Sequence, residues 1–383
     1  MNIVYLCNYM LDDVLALRKN QNTYAQAANN KINQIRTSLE LNGHEVSILS
    51  NALMNNRSFK WFKGFNSKLD KNLFYISIFD FPLLNTLSSI LFMCFRIFRM
   101  HRKKKIDYIL FWNYKPEVAL VAYICKWMLG IRIIVDYEDG YFTLQHIGRK
   151  RHIFNFVEKV VSKYVDGAIL ISEQLISRIN DKPYVILNGL TNQKVLNYKG
   201  ERKKSDVITL MYAGGLDYER GIDVLIQALT YTNQPFILKV SGKGPLSDMF
   251  EKEKDPRIQF LGFLDYEESI KQMYESDILI NPQREKIEFA QASFPSKIFD
   301  YIATNSLIIS SNIGNMRRFS NNSFYIYEED DPKELAARID EAIQDIQSNV
   351  ITEKKLEISK IRDKFLPKNV GRDILQTLMK SES

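Results

Sequence analysis

Short apolar runs alternate with longer helical stretches along the whole chain, and this alternation constrains the fold more than any other feature. The runs are four to six residues long, are bounded by Gly, Asn or Asp, and are followed by stretches with a helical period. Short parallel strands joined by helices form a doubly wound sheet. The sequence therefore predicts an α/β protein.

The alternation stops once and then restarts, which predicts two domains. Residues 191–206 are polar and Lys-rich and are predicted to link domain 1–190 to domain 207–366. The amphipathic segment 367–383 is predicted to be a helix that returns to the first domain. The predicted strands are Ile3–Leu6, Glu45–Ser50, Leu73–Ile78, Tyr108–Phe111, Ile131–Asp136, Gly167–Ile171 and Tyr184–Leu187, then Thr209–Ala213, Phe236–Ser241, Ile258–Leu261, Ile278–Asn281, Leu307–Ser310 and Ser323–Tyr327.

Several classes of protein are excluded by composition. Three widely spaced cysteines and four histidines without ligand spacing indicate neither a disulfide framework nor a metal site, which suits a reducing cytoplasm. The N-terminus lacks the basic leader of a secretion signal. The longest apolar stretch, Ile90 to Phe98, contains Arg96 and is shorter than the ~20 residues of a spanning helix.

The positive charge is concentrated in residues 57–105. This region has eleven Lys or Arg against two acids, a balance of +9 in a chain whose net charge is +7. Aromatic side chains lie among these charges, a mixture that suits an anionic membrane surface. A solvated basic face is the alternative interpretation, and nucleic acid is not expected because no recognition module is evident.

Two glycine-containing loops follow predicted strands of the second domain. Gly214 and Gly215 let the backbone approach a ligand, and Arg220 adds a charged donor that suits phosphate. Gly242 and Lys243 follow the next strand in the same way. Ligands collect beyond the carboxyl ends of such strands, so both loops are predicted to line one crevice. A plain connection between strand and helix is the alternative.

A third element begins at Pro295 and Ser296, which are predicted to open a helix whose N-terminus binds an anion. Lys297 is placed to reach a phosphate, and Asp300 to accept hydrogen bonds from ribose hydroxyls. In the first domain, Glu138 and Asp139 follow a strand. They either orient an acceptor hydroxyl or a donor sugar, or cap the following turn.

These segments, in this order, resemble the retaining glycosyltransferases of family-4 type with the GT-B fold. The resemblance covers most of the chain and is carried by GHEVSILS (43–50), ILISEQL (169–175), LNG (187–189), YAGGLDYERGIDVLIQAL (212–229), SGKGPL (241–246) and FPSKIFDYIATNSLIISS (294–311). It implies two Rossmann-like domains facing a cleft. The implied reaction moves a hexose from a UDP- or GDP-linked donor to a glycan or lipid-linked acceptor, without a metal or other cofactor.

The sequence departs from the family pattern at several positions. Gly215 stands where the family usually has an arginine, and Arg220 stands in place of its lysine. The family's paired glutamates appear as Ala292 and Asp300, so Glu288 and Gln291 are predicted to contact the donor sugar instead. The backbone near Phe263 is expected to select the base.

The resemblance also implies a place in the cell. It suggests synthesis of a bacterial surface polysaccharide by a cytoplasmic enzyme, attached peripherally to the inner face of the membrane. Two alternatives share the architecture. A GT-B nucleotide-sugar epimerase is one, and a non-catalytic partner subunit is the other, suggested by Gly215 and Ala292.

Overall fold

The protein consists of two compact units. A computed structural model of the chain describes residues 1–18, 26–53, 59–138, 150–200, 207–252, 255–285, 294–328 and 330–380. The first unit comprises Met1–Asn188 together with the chain from Pro367 onward, and the second is Gly189–Leu366.

An eight-stranded sheet forms the centre of the first unit. Its strands lie in the order β10-β9-β8-β7-β1-β2-β5-β4, and all neighbours are parallel except β4 and β5. The strands of this unit are β1 Asn2–Cys7, β2 Glu45–Ser50, β3 Trp61–Phe62, β4 Phe65–Asn66, β5 Leu73–Tyr75, β6 Ile78–Phe79, β7 Tyr108–Trp112, β8 Arg132–Tyr137, β9 Gly167–Leu170 and β10 Tyr184–Ile186. Its helices are α1 Asp12–Arg18, α2 Gln26–Glu40, α3 Leu84–Lys103, α4 Pro116–Leu129, α5 Lys150–Val161 and a 3₁₀ helix at Glu173–Arg178.

Helices α3, α4 and α5 pack against one face of this sheet. They share a core with β1, β7, β8 and β9, to which Met93, Val121 and Val157 contribute one buried side chain from each helix. Helix α4 begins with Pro116 and ends at Gly130, whose φ of 66° closes the helix in the left-handed conformation.

The last helix of the chain, Pro367–Lys380, belongs to the first unit. It is α14 in chain order and packs on α2. The side-chain amide of Asn42 donates a hydrogen bond to the carbonyl of Lys368 over 2.9 Å. A Cβ atom at Gly371 would overlap the carbonyl oxygen of Ser38, so close packing of the two helices requires glycine there.

The predicted strand Leu73–Ile78 is wrong as a single element. Strand β5 ends at Tyr75, and β6 pairs antiparallel with β3 in a separate two-stranded sheet. Gly64 packs against this break: a Cβ atom there would overlap the backbone of residues 75–77, and its N–H donates to the hydroxyl of Ser77 over 2.8 Å. An apolar run cannot distinguish one strand from two that pair in different sheets.

The second unit contains a six-stranded, fully parallel sheet in the order β13-β12-β11-β14-β15-β16. Its strands are β11 Ile208–Ala213, β12 Phe236–Ser241, β13 Ile258–Phe260, β14 Ile278–Asn281, β15 Leu307–Ser311 and β16 Tyr325–Tyr327. Its helices are α6 Gln193–Leu196, α7 Ile222–Ala228, α8 Ser247–Glu251, α9 Tyr266–Glu275, α10 Lys297–Thr304, α11 Met316–Ser320, α12 Pro332–Gln347 and α13 Thr352–Lys364.

Each sheet reverses its strand order at one point. In the first unit the reversal lies between β1 and β7, and in the second between β11 and β14. Ligands of open α/β sheets bind beyond the carboxyl ends of the strands at such a reversal. These two edges are therefore where functional residues are expected.

Candidate nucleotide site and a carboxylate cluster

The two glycine loops of the second unit form one continuous surface at the carboxyl edge of the sheet. Ala213 pairs with Ser241, so Gly214 and Gly242 leave the sheet at the same level. The N–H of Gly214 donates to the carbonyl of Ser241 over 3.0 Å. A Cβ atom at Gly242 would overlap the carbonyl oxygen of Gly214. The predicted shared crevice thus has a backbone lining that only glycine permits.

Two backbone donors of these loops are open to a ligand. The N–H groups of Gly215 and Lys243 donate to no residue of the described part of the chain, whereas the N–H of neighbouring Leu216 donates to the carbonyl of Lys243 over 3.1 Å. Unpaired backbone N–H groups pointing from loops of this kind bind anions.

Tyr212 holds the cationic side chain of Lys297. The tyrosine is fully buried, and its hydroxyl donates to the carbonyl of Gly215 over 2.6 Å. Lys297 Nζ lies 3.4 Å from that hydroxyl oxygen and 4.4 Å from the centre of the ring. Sequence reasoning missed Tyr212, although a buried tyrosine before a glycine loop is itself a signal, because its hydroxyl needs a partner.

Positive charge is in excess at this site. Burial, together with the charge of Arg220, lowers the pKa of Lys297 to about 7, and the nearby Asp217 carboxylate opposes this only in part. Neither Arg220 nor Lys297 forms an ion pair with a carboxylate of the described residues. The two cations therefore repel each other, and an anion between them would relieve the repulsion.

Asp217 lies where a side chain at position 215 would project. A Cβ atom at Gly215 would come within 2.9 Å of Asp217 Oδ2. The other carboxylate oxygen, Oδ1, accepts a hydrogen bond from the N–H of Arg220 over 2.8 Å. The chain therefore has a carboxylate beside the glycine loop, a feature that sequence reasoning also missed.

Asp300 is a half-buried carboxyl group one turn into α10. It accepts no hydrogen bond from any residue within the described ranges, and burial raises its pKa to about 7. Ser296 precedes α10, is exposed and forms no capping hydrogen bond with the helix. Both side chains can form hydrogen bonds, as donor or as acceptor, with a ligand at the start of α10.

Phe263 and Lys243 extend the site towards β13. The ring of Phe263 is 69% exposed, and Lys243 Nζ lies 4.8 Å above it. Gly262 accepts a hydrogen bond from the N–H of Gly242 over 2.9 Å, which joins this turn to the glycine loops. A planar apolar group has an exposed aromatic face to stack on here.

A cluster of charged groups lies at the carboxyl edge of the first unit's sheet. Lys31 Nζ is 3.3 Å from Asp136 Oδ1 and 3.5 Å from Glu138 Oε2. Tyr5 donates a short hydrogen bond to Asp136, and burial raises the pKa of that carboxyl group, an effect which Lys31 opposes. The sequence singled out Glu138 but not Lys31 or Asp136.

The free oxygen of Glu138 is the accessible part of this cluster. Trp112 Nε1 donates to Glu138 Oε2 over 2.8 Å, and the backbone N–H of Glu138 donates to Asn113 Oδ1 over 2.7 Å. The other oxygen, Oε1, has no partner among the residues the structure describes, and the side chain is 22% exposed. Glu138 is held in place through one oxygen and can accept a hydrogen bond from a ligand hydroxyl with the other. Asp139, Glu288 and Gln291 lie outside the described residues.

Solved structures with a similar fold include glycosyltransferases. The chain matches a glycosyltransferase from Rickettsia africae with a TM-score of 0.66 at 14% identity, covering 100% of this chain and 98% of the other. It matches the lipopolysaccharide outer core galactosyltransferase WaaB with a TM-score of 0.65 at 13% identity, covering 99% of both. It matches Anabaena Alr3699/HepE in complex with UDP-glucose with a TM-score of 0.62 at 12% identity, covering 99% and 100%. The chain has the GT-B fold.

Residues 207–345 match the family profile described as glycosyl transferases group 1. The matched residues all lie within the second unit. No curated protein is similar to the chain. The match contains every second-unit residue singled out above, from Tyr212 to Asp300, while the cluster around Glu138 lies outside it.

Two general features of the chain bear on its chemistry. No helix of the described residues is long and apolar enough to cross a membrane. Within the same residues, no group of three or more His, Cys, Asp or Glu side chains is arranged to hold a metal ion.

Replacing Asp300 with asparagine is expected to stabilise the unliganded protein in a pH-dependent way. The folded protein keeps Asp300 protonated up to about pH 7, whereas the unfolded chain loses that proton near the ordinary value of 3.8, so the carboxyl group lowers stability as pH rises between these values. The free energy of unfolding of Asp300→Asn should exceed that of the wild type by on the order of 2 kcal/mol at about pH 8 and equal it at about pH 4.

Urea unfolding at both pH values measures the effect. Asp248→Asn is the control, because it makes the same substitution at an exposed carboxylate on α8. A difference between Asp300→Asn and wild type that is the same at both pH values would show that folding does not raise the pKa of Asp300.

Proposed function

We propose that the protein transfers a sugar from a UDP- or GDP-linked donor to a glycan or lipid-linked acceptor. The observation that carries this proposal is the pair of un-neutralised cations, Arg220 and Lys297, beside open backbone donors of the glycine loops. Such a site is complementary to a diphosphate. Similar structures support the ligand class, since HepE has been solved in complex with UDP-glucose and the catalytic domain of starch synthase IV from Arabidopsis thaliana bound to ADP and acarbose.

The rest of the donor fits the neighbouring groups. Asp300 has two oxygens without hydrogen-bond partners in the described structure, which suits the two hydroxyl groups of a ribose. Phe263 offers an exposed ring to the base. Glu288 and Gln291 are proposed to contact the sugar, on sequence grounds alone.

Catalysis is proposed to depend mainly on electrostatics. The bond between the anomeric carbon and the diphosphate breaks while the acceptor oxygen bonds to that carbon. Negative charge grows on the departing phosphate, which takes up the proton of the acceptor hydroxyl. Arg220, Lys297 and the N-terminus of α10 stabilise that charge without a metal ion. Glu138 and Asp139 are proposed to orient the acceptor hydroxyl, and transfer of a hexose is proposed to retain the anomeric configuration.

The proposed setting is the synthesis of a bacterial surface polysaccharide. The enzyme would work in the cytoplasm, peripherally attached to the inner face of the cell membrane, where a lipid-linked acceptor is presented. The concentration of positive charge in residues 57–105 supports this placement.

A non-catalytic partner subunit is the competing function, favoured by Gly215 in place of an arginine. Isothermal titration with UDP and GDP, followed by a donor-hydrolysis assay with the sugar nucleotides, separates the two. An enzyme should bind a nucleoside diphosphate and slowly release sugar from its donor. Failure to bind either nucleotide would favour the partner subunit and overturn the proposal.

The same titration, repeated in buffers of different ionisation enthalpy, reports which groups the nucleotide contacts. Near pH 7, Lys297 and Asp300 are each about half protonated, because both have pKa values of about 7. A diphosphate beside Lys297 favours the charged form of the lysine, which then takes up about half a proton. Ribose hydroxyls that donate to Asp300 favour its carboxylate form, so Asp300 releases about half a proton.

Two variants separate these opposing changes. Asp300→Asn should show net proton uptake on binding, and Lys297→Arg, which is always charged, should show net release. The wild type should lie between them. The absence of uptake in Asp300→Asn would mean that the diphosphate does not bind at Lys297.

A further inference from the structure

Helix α3 exposes a row of large apolar side chains to solvent. Leu84, Leu87, Leu91 and Phe95 follow one another at intervals of three or four residues, so they share one face of the helix. Leu87, Leu91 and Phe95 are between 61% and 64% exposed. The opposite face supplies the buried contacts with the sheet, so the row is not needed for the core of this unit.

More apolar surface lies beside the start of this row. Trp61 on β3 is 50% exposed, and its ring centre lies 5.2 Å from that of Phe92 on α3. Phe59 is also exposed and packs 4.2 Å from Phe81, while Leu83 is exposed just before the helix. Grouped apolar side chains of this kind usually mark a binding surface, whereas single exposed ones need no explanation. We call these seven residues, Phe59, Trp61, Leu83, Leu84, Leu87, Leu91 and Phe95, the α3 patch.

Towards the C-terminus of α3, the same helix face carries positively charged side chains. Arg99 and Arg102 follow Phe95 at intervals of four and seven residues, and both are exposed. Neither forms an ion pair with another described residue. Helix α3 has no Asp or Glu in its 20 residues, and the surrounding sequence from 57 to 105 has a balance of eleven basic against two acidic residues.

Favourable interaction with the helix dipole explains only part of this pattern. Cations near a helix C-terminus are stabilising, which accounts for Arg102 and Lys103 in the last turn. The dipole gives no reason for leucines at exposed positions in the first half. An apolar half and a basic half on one face suit a surface that has an apolar interior and anionic headgroups.

We propose that the α3 patch docks on an anionic lipid surface, with its leucines and aromatic rings at the boundary of headgroups and acyl chains and its arginines on the lipid phosphates. The charge complementarity favours a lipid surface over a protein partner, because Arg99 and Arg102 on this face form no ion pair with a described residue. The inference rests on the proposed function in one respect, namely that a lipid-linked acceptor would be presented on such a surface.

Flotation with vesicles tests the patch. The full chain should float with phosphatidylcholine vesicles that contain phosphatidylglycerol, and not with phosphatidylcholine alone. Leu87→Ser/Leu91→Ser should lower the vesicle-bound to free ratio at least about tenfold, because two apolar side chains lose their burial. Arg99→Glu/Arg102→Glu should abolish the preference for anionic lipid, and added salt should weaken binding of the wild type.

Matched controls and a second measurement keep the outcomes distinct. Val350→Ser/Leu356→Ser removes two apolar side chains of similar exposure from the second unit and should float like the wild type. UDP titration should give the same affinity for every variant. No flotation of the wild type, or equal flotation of Leu87→Ser/Leu91→Ser, overturns the lipid assignment. A wild-type dimer in light scattering that this variant splits would assign the patch to a second copy instead.

The two proposals fail separately. Loss of flotation with intact UDP binding removes the lipid surface and leaves the nucleotide site. Absent UDP binding with normal flotation removes the proposed transferase function and leaves the α3 patch as a lipid-binding surface.

Discussion

Replacing Lys297 with methionine is expected to lower the turnover number by about 10²–10³-fold at saturating donor, a loss of about 2.7–4 kcal/mol of transition-state stabilisation. Lys297 Nζ lies over the ring of Tyr212, 3.4 Å from its hydroxyl oxygen, beside the open N–H of Gly215. Charge on a diphosphate grows as the sugar departs. A cation held in place by a buried ring therefore stabilises the transition state more than the bound donor.

Arg220→Ala should give a loss of the same order, since its charge lowers the pKa of Lys297 and thus lies close to it. Turnover measured with the donor that the titration identifies checks both variants. Lys333→Met is the matched control, because Lys333 also lies over a tyrosine ring, at 5.5 Å from that of Tyr231, but on α12. Wild-type turnover in Lys297→Met and Arg220→Ala would remove both from the mechanism.

Much of the fold follows from the sequence because buried parallel strands are short apolar runs with clear ends. Strands β2, β12 and β14 begin and end where the pattern predicts. Helix α3 is different, since apolar residues occupy its exposed face as well as its buried face. The apolar residues of α3 are therefore not confined to one helix face, and the sequence pattern does not predict this helix. The property that hides α3 from sequence analysis is the one that makes its surface unusual.

The backbone of the nucleotide site was easier to predict than its side-chain contacts. Gly214 and Gly242 follow strands that can be recognised, and parallel neighbours bring their loops together. The contact of Lys297 with Tyr212 joins residues 85 positions apart, and that of Lys31 with Asp136 joins residues 105 apart. Such pairs depend on strand order and on which side of the sheet each helix packs. A single sequence does not specify either.

Gly242→Ala is expected to disrupt the nucleotide site and to destabilise the second unit by about 1–3 kcal/mol, the usual cost of overpacking. The added methyl group would overlap the carbonyl oxygen of Gly214, which is backbone and cannot rotate away. Relief requires the two loops to separate, and separation breaks the hydrogen bonds from Gly214 to Ser241 and from Gly242 to Gly262. The open N–H groups of Gly215 and Lys243 then no longer face one ligand.

UDP titration and urea unfolding measure the two effects, with at least about a tenfold loss of affinity expected from the loss of one or two charge-assisted hydrogen bonds. Gly130→Ala is the control, since Gly130 has a φ of 66° but a Cβ atom there meets no atom within 4 Å. It carries the strain of a left-handed residue without the overlap, so it should reduce stability by about 1 kcal/mol and leave UDP affinity unchanged. If Gly242→Ala loses stability but keeps its affinity, the glycine loops serve folding and the diphosphate binds elsewhere.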